Sequence, residues 1–176
     1  MAADPEFQPG AAPFGNFINY YSFNPPENRL KLLPKEFYTI IRRNCKDKPL
    51  IGLDIGCNTG VGLVCRLLAY FSTTVSQPTQ HTDFHMLGCD IDNILIQRAT
   101  ENHRHTDHLT FQTLDYMDTE QRQESLGSYL QRFSRTKFDV TFCFSVTMWI
   151  HLQNGDSGLR DFLRSVSSNT WNFTLV

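Results

Sequence analysis

The stretch Leu50-Ile51-Gly52-Leu53-Asp54-Ile55-Gly56-Cys57-Asn58-Thr59-Gly60 decides the fold, because it joins an apolar run to a turn punctuated by glycines. Gly56 and Gly60 bracket this turn where a side chain would block the approach of a ligand, and Asn58 tolerates the left-handed conformation better than most residues. The apolar residues of 61–71 then recur at helical spacing. The stretch predicts a buried parallel strand, a ligand-binding turn and a helix that packs back on the sheet.

Strands and helices alternate through the rest of the chain. Apolar runs predict further strands over 84–90, 109–114, 138–146 and 171–176. Helical spacing predicts helices over 91–102 and 120–133 and around 159–166, and helical turns over 30–41. This alternation predicts an α/β fold with a doubly wound, mostly parallel sheet.

The composition bounds the organisation of the chain. Its 176 residues are 40% hydrophobic and 19% charged, which suits one globular core. Residues 1–13 are rich in alanine and proline and predict a disordered tail, so residues 14–176 are expected to form a single domain. No apolar run approaches the roughly 20 residues that cross a bilayer, and the start lacks a signal-peptide pattern. We therefore expect a soluble, cytoplasmic protein without membrane attachment.

The cysteines and the charges give further expectations. The five cysteines are widely spaced, which favours reduced thiols over disulfides or a zinc site. The net charge of −2 gives no overall attraction to nucleic acid. The stretch from Arg29 to Lys48, however, is strongly basic. It predicts either a surface that receives phosphates or an ordinary solvated helix face.

Three aspartates lie at or near predicted strand ends: Asp54, Asp90 and Asp115. The carboxyl ends of parallel strands share one edge, so these carboxylates should line one crevice. An acid after the second strand can accept both ribose hydroxyls, and one after the third can accept from an adenine amino group. The turn lacks the full glycine pattern of a dinucleotide site, because Asn58 replaces its second glycine. These features favour S-adenosylmethionine, which carries no phosphate; a nicotinamide-dependent oxidoreductase remains a weaker alternative.

Histidines and aromatic residues leave other interpretations open. His103, His105 and His108 lie in a polar loop without a nearby cysteine, so we expect no metal site. His151 follows an apolar run and is either a core residue or a phosphate contact. Trp149 is either a core residue or a ring that stacks on a base.

Several motifs resemble the bicoid-interacting-protein-3 type RNA methyltransferases over about residues 10–168. The motifs are Gly15-Asn16-Phe17, Tyr20-Tyr21, Arg29-Leu30, Leu53-Asp54-Ile55-Gly56-Cys57-Asn58, Cys89-Asp90-Ile91-Asp92 and Ser145-Val146-Thr147-Met148-Trp149-Ile150-His151. The first and last of these blocks are far more specific than the cofactor turn. The resemblance implies the fold of a class I S-adenosylmethionine methyltransferase.

The resemblance also implies an activity and its residues. The reaction would be methylation of the terminal 5′-monophosphate of an RNA, with histidine transfer RNA and microRNA precursors as substrates. Cofactor contacts implied by position are Arg29, Asn58, Asp90, Asp115 and Tyr116, beside Asp54 and Gly56 in the cofactor turn. The expected catalytic residues are Tyr20, Tyr21, Met148 and His151. Met148 would lie near the methyl-transfer site, and Tyr20 and Tyr21 would cover the reacting phosphate. His151 ends the same motif as Met148.

The last residues depart from this family. Residues 169–176 do not resemble the expected continuation, so we expect a sheet that is incomplete at its C-terminal side after about the fifth strand. Such a sheet would expose an edge, which predicts weak stability or association of an otherwise monomeric protein. The alternative to an active enzyme is a catalytically inactive, methyltransferase-like protein that binds the cofactor or RNA.

Overall fold

A computed structural model describes residues 36–42, 49–60, 83–103 and 107–175, together with residues 14, 15, 22, 25, 28, 31 and 33. Helices and strands alternate along these residues. In chain order they are α1 (Phe37–Arg42), β1 (Leu50–Ile55), β2 (Phe84–Asp90), α2 (Asn93–Asn102), β3 (Leu109–Thr113), α3 (Thr119–Gln131), β4 (Phe138–Phe142), α4 (Thr147–Asn169) and β5 (Thr170–Leu175).

The five strands form one sheet in the order β3-β2-β1-β4-β5, and every pair is parallel. From β1 the chain continues to β2 and β3 on one side of β1. It then crosses to the other side of β1 to form β4 and β5, so the direction of strand addition reverses between β1 and β4. In open α/β sheets, ligands bind outside the carboxyl ends of the strands at such a point. The topology therefore places a crevice beyond Ile55 and Phe142.

The core has two layers, one on each face of the sheet. Alternate residues of a strand face opposite sides, and β1 shows this directly: Leu50 packs in one cluster, while Ile51 and Leu53 pack in the other. The first cluster holds α1 and part of α2 against the sheet, and the second holds α3 and the second half of α4. The predicted doubly wound α/β architecture is confirmed by these two layers and by the all-parallel sheet.

Asp139 lies inside the sheet and serves the fold. It is fully buried, accepts a 2.9 Å hydrogen bond from the backbone N–H of Ile51, and forms an ion pair with Arg135. A buried carboxylate needs such partners, because an unpaired charge is costly to remove from water. Asp139 thus ties β4 to β1 at the end of the strands that lies away from the crevice.

The predicted bounds of β2, α2 and α3 agree closely with the structure. The second strand has the predicted bounds, and helices α2 and α3 start within two residues of the expected positions, each capped by an aspartate side chain, Asp92 or Asp118. The predicted helix over 61–71 and the predicted tail over 1–13 lie outside the described residues. None of the described helices is long and apolar enough to cross a membrane.

The segment after β4 differs from the prediction. The strand was expected to continue to Val146 but ends at Phe142. Ser145 has a φ of 63°, in the left-handed region, which an extended strand cannot accommodate. Helix α4 then begins at Thr147 and is interrupted at Gly155, whose φ of 66° and ψ of −170° are not helical. Residues 143–146 therefore form a turn and not a strand, and their exposure ranges from the buried Cys143 to the exposed Ser145.

Strand β5 is found where the sequence predicts it, and it forms one edge of the described sheet next to β4. Trp171 on this strand is 62% exposed and lies beside the ammonium group of Lys137, 4.9 Å from the ring centre. The expectation that this edge weakens the fold or promotes association stays a prediction.

Candidate active site at the carboxyl edge of the sheet

A cavity of about 290 Å³ opens at the carboxyl edge of the sheet, at the point where the strand order reverses. Residues at or just beyond the carboxyl ends of the strands β1 to β4 contribute to its walls. They are Ile55, Gly56, Asn58, Cys89, Asp90, Ile91, Leu114, Asp115, Tyr116, Met117, Phe144, Ser145, Val146, Trp149, Ile150, Gln153 and Asn154, together with Phe14 and Gly15. The wall after β1, β2 and β3 carries the acids and is called the acidic wall below; residues 144–154 form the opposite wall.

The glycine turn after β1 adopts the conformation that its sequence predicts. Gly56, Asn58 and Gly60 have φ values of 75°, 54° and 68°. The backbone N–H groups of Gly56 and Cys57 both donate to the carbonyl oxygen of Cys89, at 2.8 and 3.0 Å, which ties the turn to the end of β2. The turn is therefore held in a left-handed shape that glycine and asparagine adopt at low cost.

The two glycines of the turn are also required for packing. A Cβ atom on Gly60 would lie 2.6 Å from the ring of Phe111, and one on Gly56 would lie 2.1 Å from Cγ1 of Val146. Gly56 is thus the point where the acidic wall meets the opposite wall. The sequence predicts that these glycines let a ligand approach. In the structure, neighbouring side chains of the protein itself occupy the space where a Cβ atom would lie.

Asp90 is the most firmly held acid of the cavity. Its side chain is buried, one carboxylate oxygen accepts from the backbone N–H of Asn58 at 2.9 Å, and the other accepts from that of Asp92 at 3.1 Å. Burial raises the pKa of the Asp90 carboxyl above its ordinary value, while these two hydrogen bonds oppose the rise. A carboxylate has about four acceptor positions, so Asp90 retains capacity for two donors of a ligand.

Asp115 and Tyr116 follow β3 and complete the acidic wall. Asp115 is exposed, and one of its oxygens accepts from the backbone N–H of Met117 at 2.9 Å. Tyr116 is buried edge-on against Phe162, with ring centres 5.3 Å apart, and burial raises the pKa of its hydroxyl. Asp115 thus presents a charge at the mouth of the cavity, while Tyr116 supplies an apolar surface deeper in it.

The opposite wall comes from the first half of α4 and the turn before it. Val146, Trp149, Ile150, Gln153 and Asn154 line the cavity at spacings of three and four residues, which is one face of a helix. Gly15 packs under the ring of Trp149, because a Cβ atom there would lie 2.1 Å from the indole nitrogen. Gln153 and Asn154 are not among the residues predicted for the site, although their positions three and four residues after Ile150 are a usable signal.

Three predicted site residues do not line the cavity. Asp54 is buried in β1, where its charge adds to the burial that raises the thiol pKa values of Cys57, Cys89 and Cys143. Met148 is 59% exposed, and the exposed imidazole of His151 lies 2.6 Å from the Asp156 carboxylate. Their roles stay predictions.

The remaining predicted residues divide into two groups. Gly56, Asn58, Asp90, Asp115 and Tyr116 are brought together in the cavity, as expected from the strand ends. Three lie outside the described residues: Tyr20, Tyr21 and Arg29. Most of the basic stretch from 29 to 48 lies outside them as well.

The arrangement fits one end of an adenosine ligand. The buried Asp90 can accept two hydroxyl donors side by side, the exposed Asp115 can accept an amino donor, and apolar surface from Ile91, Leu114 and Tyr116 lies on the same wall. Pockets for small ligands are typically apolar with a few fixed polar groups, and this wall has that character.

Sequence comparison identifies relatives of the chain. A family model described as Bicoid-interacting protein 3 (Bin3) matches residues 138–172. A pre-miRNA 5′-monophosphate methyltransferase of Xenopus laevis is 45% identical over 98% of this chain and 68% of its own length. An RNA 5′-monophosphate methyltransferase of Homo sapiens is 46% identical over 91% of this chain and 56% of its own length. The chain therefore spans between about half and two thirds of the relatives that it matches.

Solved structures share the fold at low sequence identity. The DszA carbon methyltransferase superposes with a TM-score of 0.56 and 18% identity, over 87% of this chain and 35% of that protein. The bifunctional kinase-methyltransferase WbdD superposes with a TM-score of 0.58 and 18% identity, over 86% of this chain and 31% of that protein. Both support the Rossmann-like methyltransferase fold. The sequence relatives and the matching family model show that the chain belongs to the Bicoid-interacting protein 3 family.

Proposed function

We propose that this protein is an S-adenosylmethionine-dependent O-methyltransferase that acts on the 5′-monophosphate end of RNA. Support comes from the relatives, which are named for that activity and match nearly the whole chain. The single observation in the structure that carries the proposal is the buried Asp90 carboxylate, fixed by two backbone N–H groups at the wall of the cavity.

The acidic wall is assigned to the cofactor. Asp90 would accept from both ribose hydroxyls, and Asp115 would accept from the adenine amino group. Gly56 and Asn58 would border the ribose, and Tyr116 would contact the cofactor through its ring. When bound, S-adenosylmethionine supplies an activated methyl group on a positively charged sulfur. The buried carboxylates below the turn make this part of the site favourable for a cation.

The opposite wall is assigned to the RNA end. Trp149 and Ile150 present apolar surface, while Ser145, Gln153 and Asn154 offer hydroxyl and amide donors that a phosphate can accept. The resemblance implies that Met148, Tyr20 and Tyr21 act here as well. These residues would position the phosphate and exclude water from it.

The acceptor needs little chemical activation from the protein. A phosphate monoester has a second pKa of about 6, so its oxygens are largely ionised at neutral pH and no residue has to remove a proton. The protein can then act chiefly by orienting the two reactants, a contribution that reaches effective molarities of about 10⁵ M or more. An apolar wall does not oppose the reaction, because opposite charges diminish as the methyl group is transferred.

We extend the proposal to the biological setting. Histidine transfer RNA and microRNA precursors are the proposed substrates, and one relative is named for precursor microRNA. A cytoplasmic location and a monomeric state belong to the same proposal. The basic stretch from 29 to 48 would receive further phosphates of the RNA.

The test is a methyl-transfer assay with a labelled donor. Two RNAs of one sequence are compared, one with a 5′-monophosphate and one with a 5′-hydroxyl end. We expect label only in the monophosphate RNA, and loss of that label after phosphatase treatment of the substrate. Equal transfer to both RNAs would exclude the phosphate as acceptor. Binding of S-adenosylmethionine without transfer to either RNA would favour the inactive, cofactor-binding alternative.

A further inference from the structure

A cluster of three metal-binding side chains lies at the opposite edge of the sheet from the cavity. Asp83 immediately precedes β2, His85 is the second residue of β2, and His108 immediately precedes β3. Because β2 and β3 are parallel neighbours, their amino ends bring these residues together. The ligand atoms that they offer all lie within 4.8 Å of one another.

The separations in this cluster approach those of a metal's ligand set. Two ligands that bind Zn²⁺ at its usual distance and at a tetrahedral angle are about 3.3 Å apart. An Asp83 carboxylate oxygen lies 2.8 Å from Nε2 of His85 and 3.6 Å from Nδ1 of His108. The nitrogen atoms of the remaining pair, His85 and His108, lie within 4.8 Å of each other and must come closer together to bind one ion. Rotation of the exposed His108 ring can shorten this distance.

The backbone holds the three residues in place before any ligand arrives. The carbonyl oxygen of Asp83 accepts from the N–H of Leu50 in β1 at 2.8 Å, and that of His108 accepts from the N–H of Met86 in β2 at 2.8 Å. The imidazole of His85 packs against Phe133, with ring centres 4.7 Å apart. A metal therefore meets donors on a rigid sheet edge, which lowers the entropy that binding must overcome.

We propose that Asp83, His85 and His108 form a binding site for a divalent metal ion of the Zn²⁺ class. Two imidazoles and one carboxylate are a donor set that suits zinc and related transition metals, whereas Mg²⁺ and Ca²⁺ prefer oxygen ligands. Three protein ligands leave a fourth position for water. The three described cysteines do not compete, because burial raises their thiol pKa values and binding requires the thiolate.

The site is independent of the proposed methyl transfer and departs from the expectation of no metal. That expectation considered His108 with His103 and His105, its neighbours in sequence. The partners that the structure gives His108 come instead from the preceding strand, more than 20 residues earlier. The Asp83 carboxylate lies 2.8 Å from the His85 imidazole and 3.6 Å from that of His108, and a metal ion would take the place of these direct contacts.

The test measures metal binding by the full chain, purified without a histidine tag and treated with a chelator. Co²⁺ is titrated first, because its visible absorption reports four-coordinate sites, and Zn²⁺ is then added to displace it. We expect one Co²⁺ per chain, displaced by Zn²⁺. His108→Gln and Asp83→Asn should each weaken metal binding by at least about tenfold. Removal of a residue that only hydrogen-bonds to a metal ligand already causes a loss of this size.

Matched controls separate the site from other histidines. His103→Gln removes a histidine that lies five positions from His108 but outside the cluster, and it should leave the affinity unchanged. Circular dichroism of each variant verifies folding, and both tested side chains are about half exposed, so the fold should tolerate the changes. Absence of stoichiometric binding by the folded protein would overturn the proposal. Binding that neither substitution weakens would overturn it as well, because other residues would then hold the metal.

Discussion

The two walls of the cavity differ in how their side chains are held. On the acidic wall, Asp90 is buried and bonded to two backbone N–H groups, and the glycine turn beside it is tied to the end of β2. On the opposite wall, Gln153 and Asn154 are exposed and stand on a helix that is interrupted at Gly155. A rigid wall suits the proposed cofactor, whose adenosine part is the same in every turnover. A less constrained wall suits the proposed RNA end, which differs from one substrate to the next.

The largest expected effect is the loss of stability on substitution of Gly56, where the two walls of the cavity are in contact. Gly56→Ala places a methyl group 2.1 Å from Cγ1 of Val146 and a side chain at a φ of 75°. Left-handed strain and overpacking together should lower the free energy of unfolding by about 2 to 4 kcal/mol. Urea denaturation measures this change.

Gly127→Ala is the control for this substitution. Gly127 lies in α3, and a Cβ atom there meets nothing within 4 Å among the described residues. Alanine favours the helix, so this change should raise stability by up to about 1 kcal/mol. Equal effects of the two substitutions would show that the walls do not meet at Gly56.

An intermediate effect is expected from Trp149, which forms the middle of the opposite wall. Trp149→Ala removes the ring that packs over Gly15, and the RNA end would lose its positioning. Misplacement of a reactant by about 1 Å can cost 10²-fold, so we expect kcat/KM to fall about 10- to 100-fold while cofactor affinity stays nearly constant. Initial rates and calorimetry with S-adenosylhomocysteine separate these two effects.

Leu152→Ala provides the matched control on the same helix. Leu152 is 67% exposed and is not among the residues that line the cavity. Its removal should leave kcat/KM unchanged. If Trp149→Ala weakens cofactor binding as much as it lowers kcat/KM, the division of labour between the two walls is wrong.

The smallest effect is expected from His151, which the family block places among the catalytic residues. In the structure its imidazole is exposed and lies 2.6 Å from the exposed Asp156 carboxylate, away from the residues that line the cavity. Exposed ion pairs contribute less than about 1 kcal/mol. His151→Gln should therefore change the methyl-transfer rate by less than about fivefold. A loss of tenfold or more would support the catalytic role that the resemblance implies and would require α4 to rearrange when RNA binds.

The same contrast explains which features could be predicted from the sequence. The acidic wall was predictable because its side chains follow strands whose apolar runs are unambiguous, as at Asp90 and Asp115, and parallel strands share one carboxyl edge. Left-handed backbone at Asn58 and Gly56 follows from residue type alone. For these residues, the residue type and the strand topology predict the same position.

The opposite wall was less predictable because its position depends on where β4 ends. The run from 138 to 146 is nearly continuous in apolar residues, so the hydrophobic pattern does not show where the strand ends and the turn begins. The left-handed serine at 145 carries no residue-type signal of the kind that glycine gives. The cluster of Asp83, His85 and His108 was not predicted for a related reason, since its members are adjacent in the sheet and His108 is distant from the other two in the sequence.

The account rests on Asp90 as the anchor of the cofactor, and the affinity of its asparagine variant tests that claim most directly. The dissociation constant of S-adenosylhomocysteine is measured by calorimetry for the unmodified protein, for Asp90→Asn, and for Asp92→Asn, which changes the same charge two residues away at the helix cap. Hydrogen bonds to a charged group contribute about 1.5 to 3 kcal/mol, so Asp90→Asn should weaken binding about 10- to 100-fold, and Asp92→Asn should not. An unchanged dissociation constant in folded Asp90→Asn protein would contradict the account.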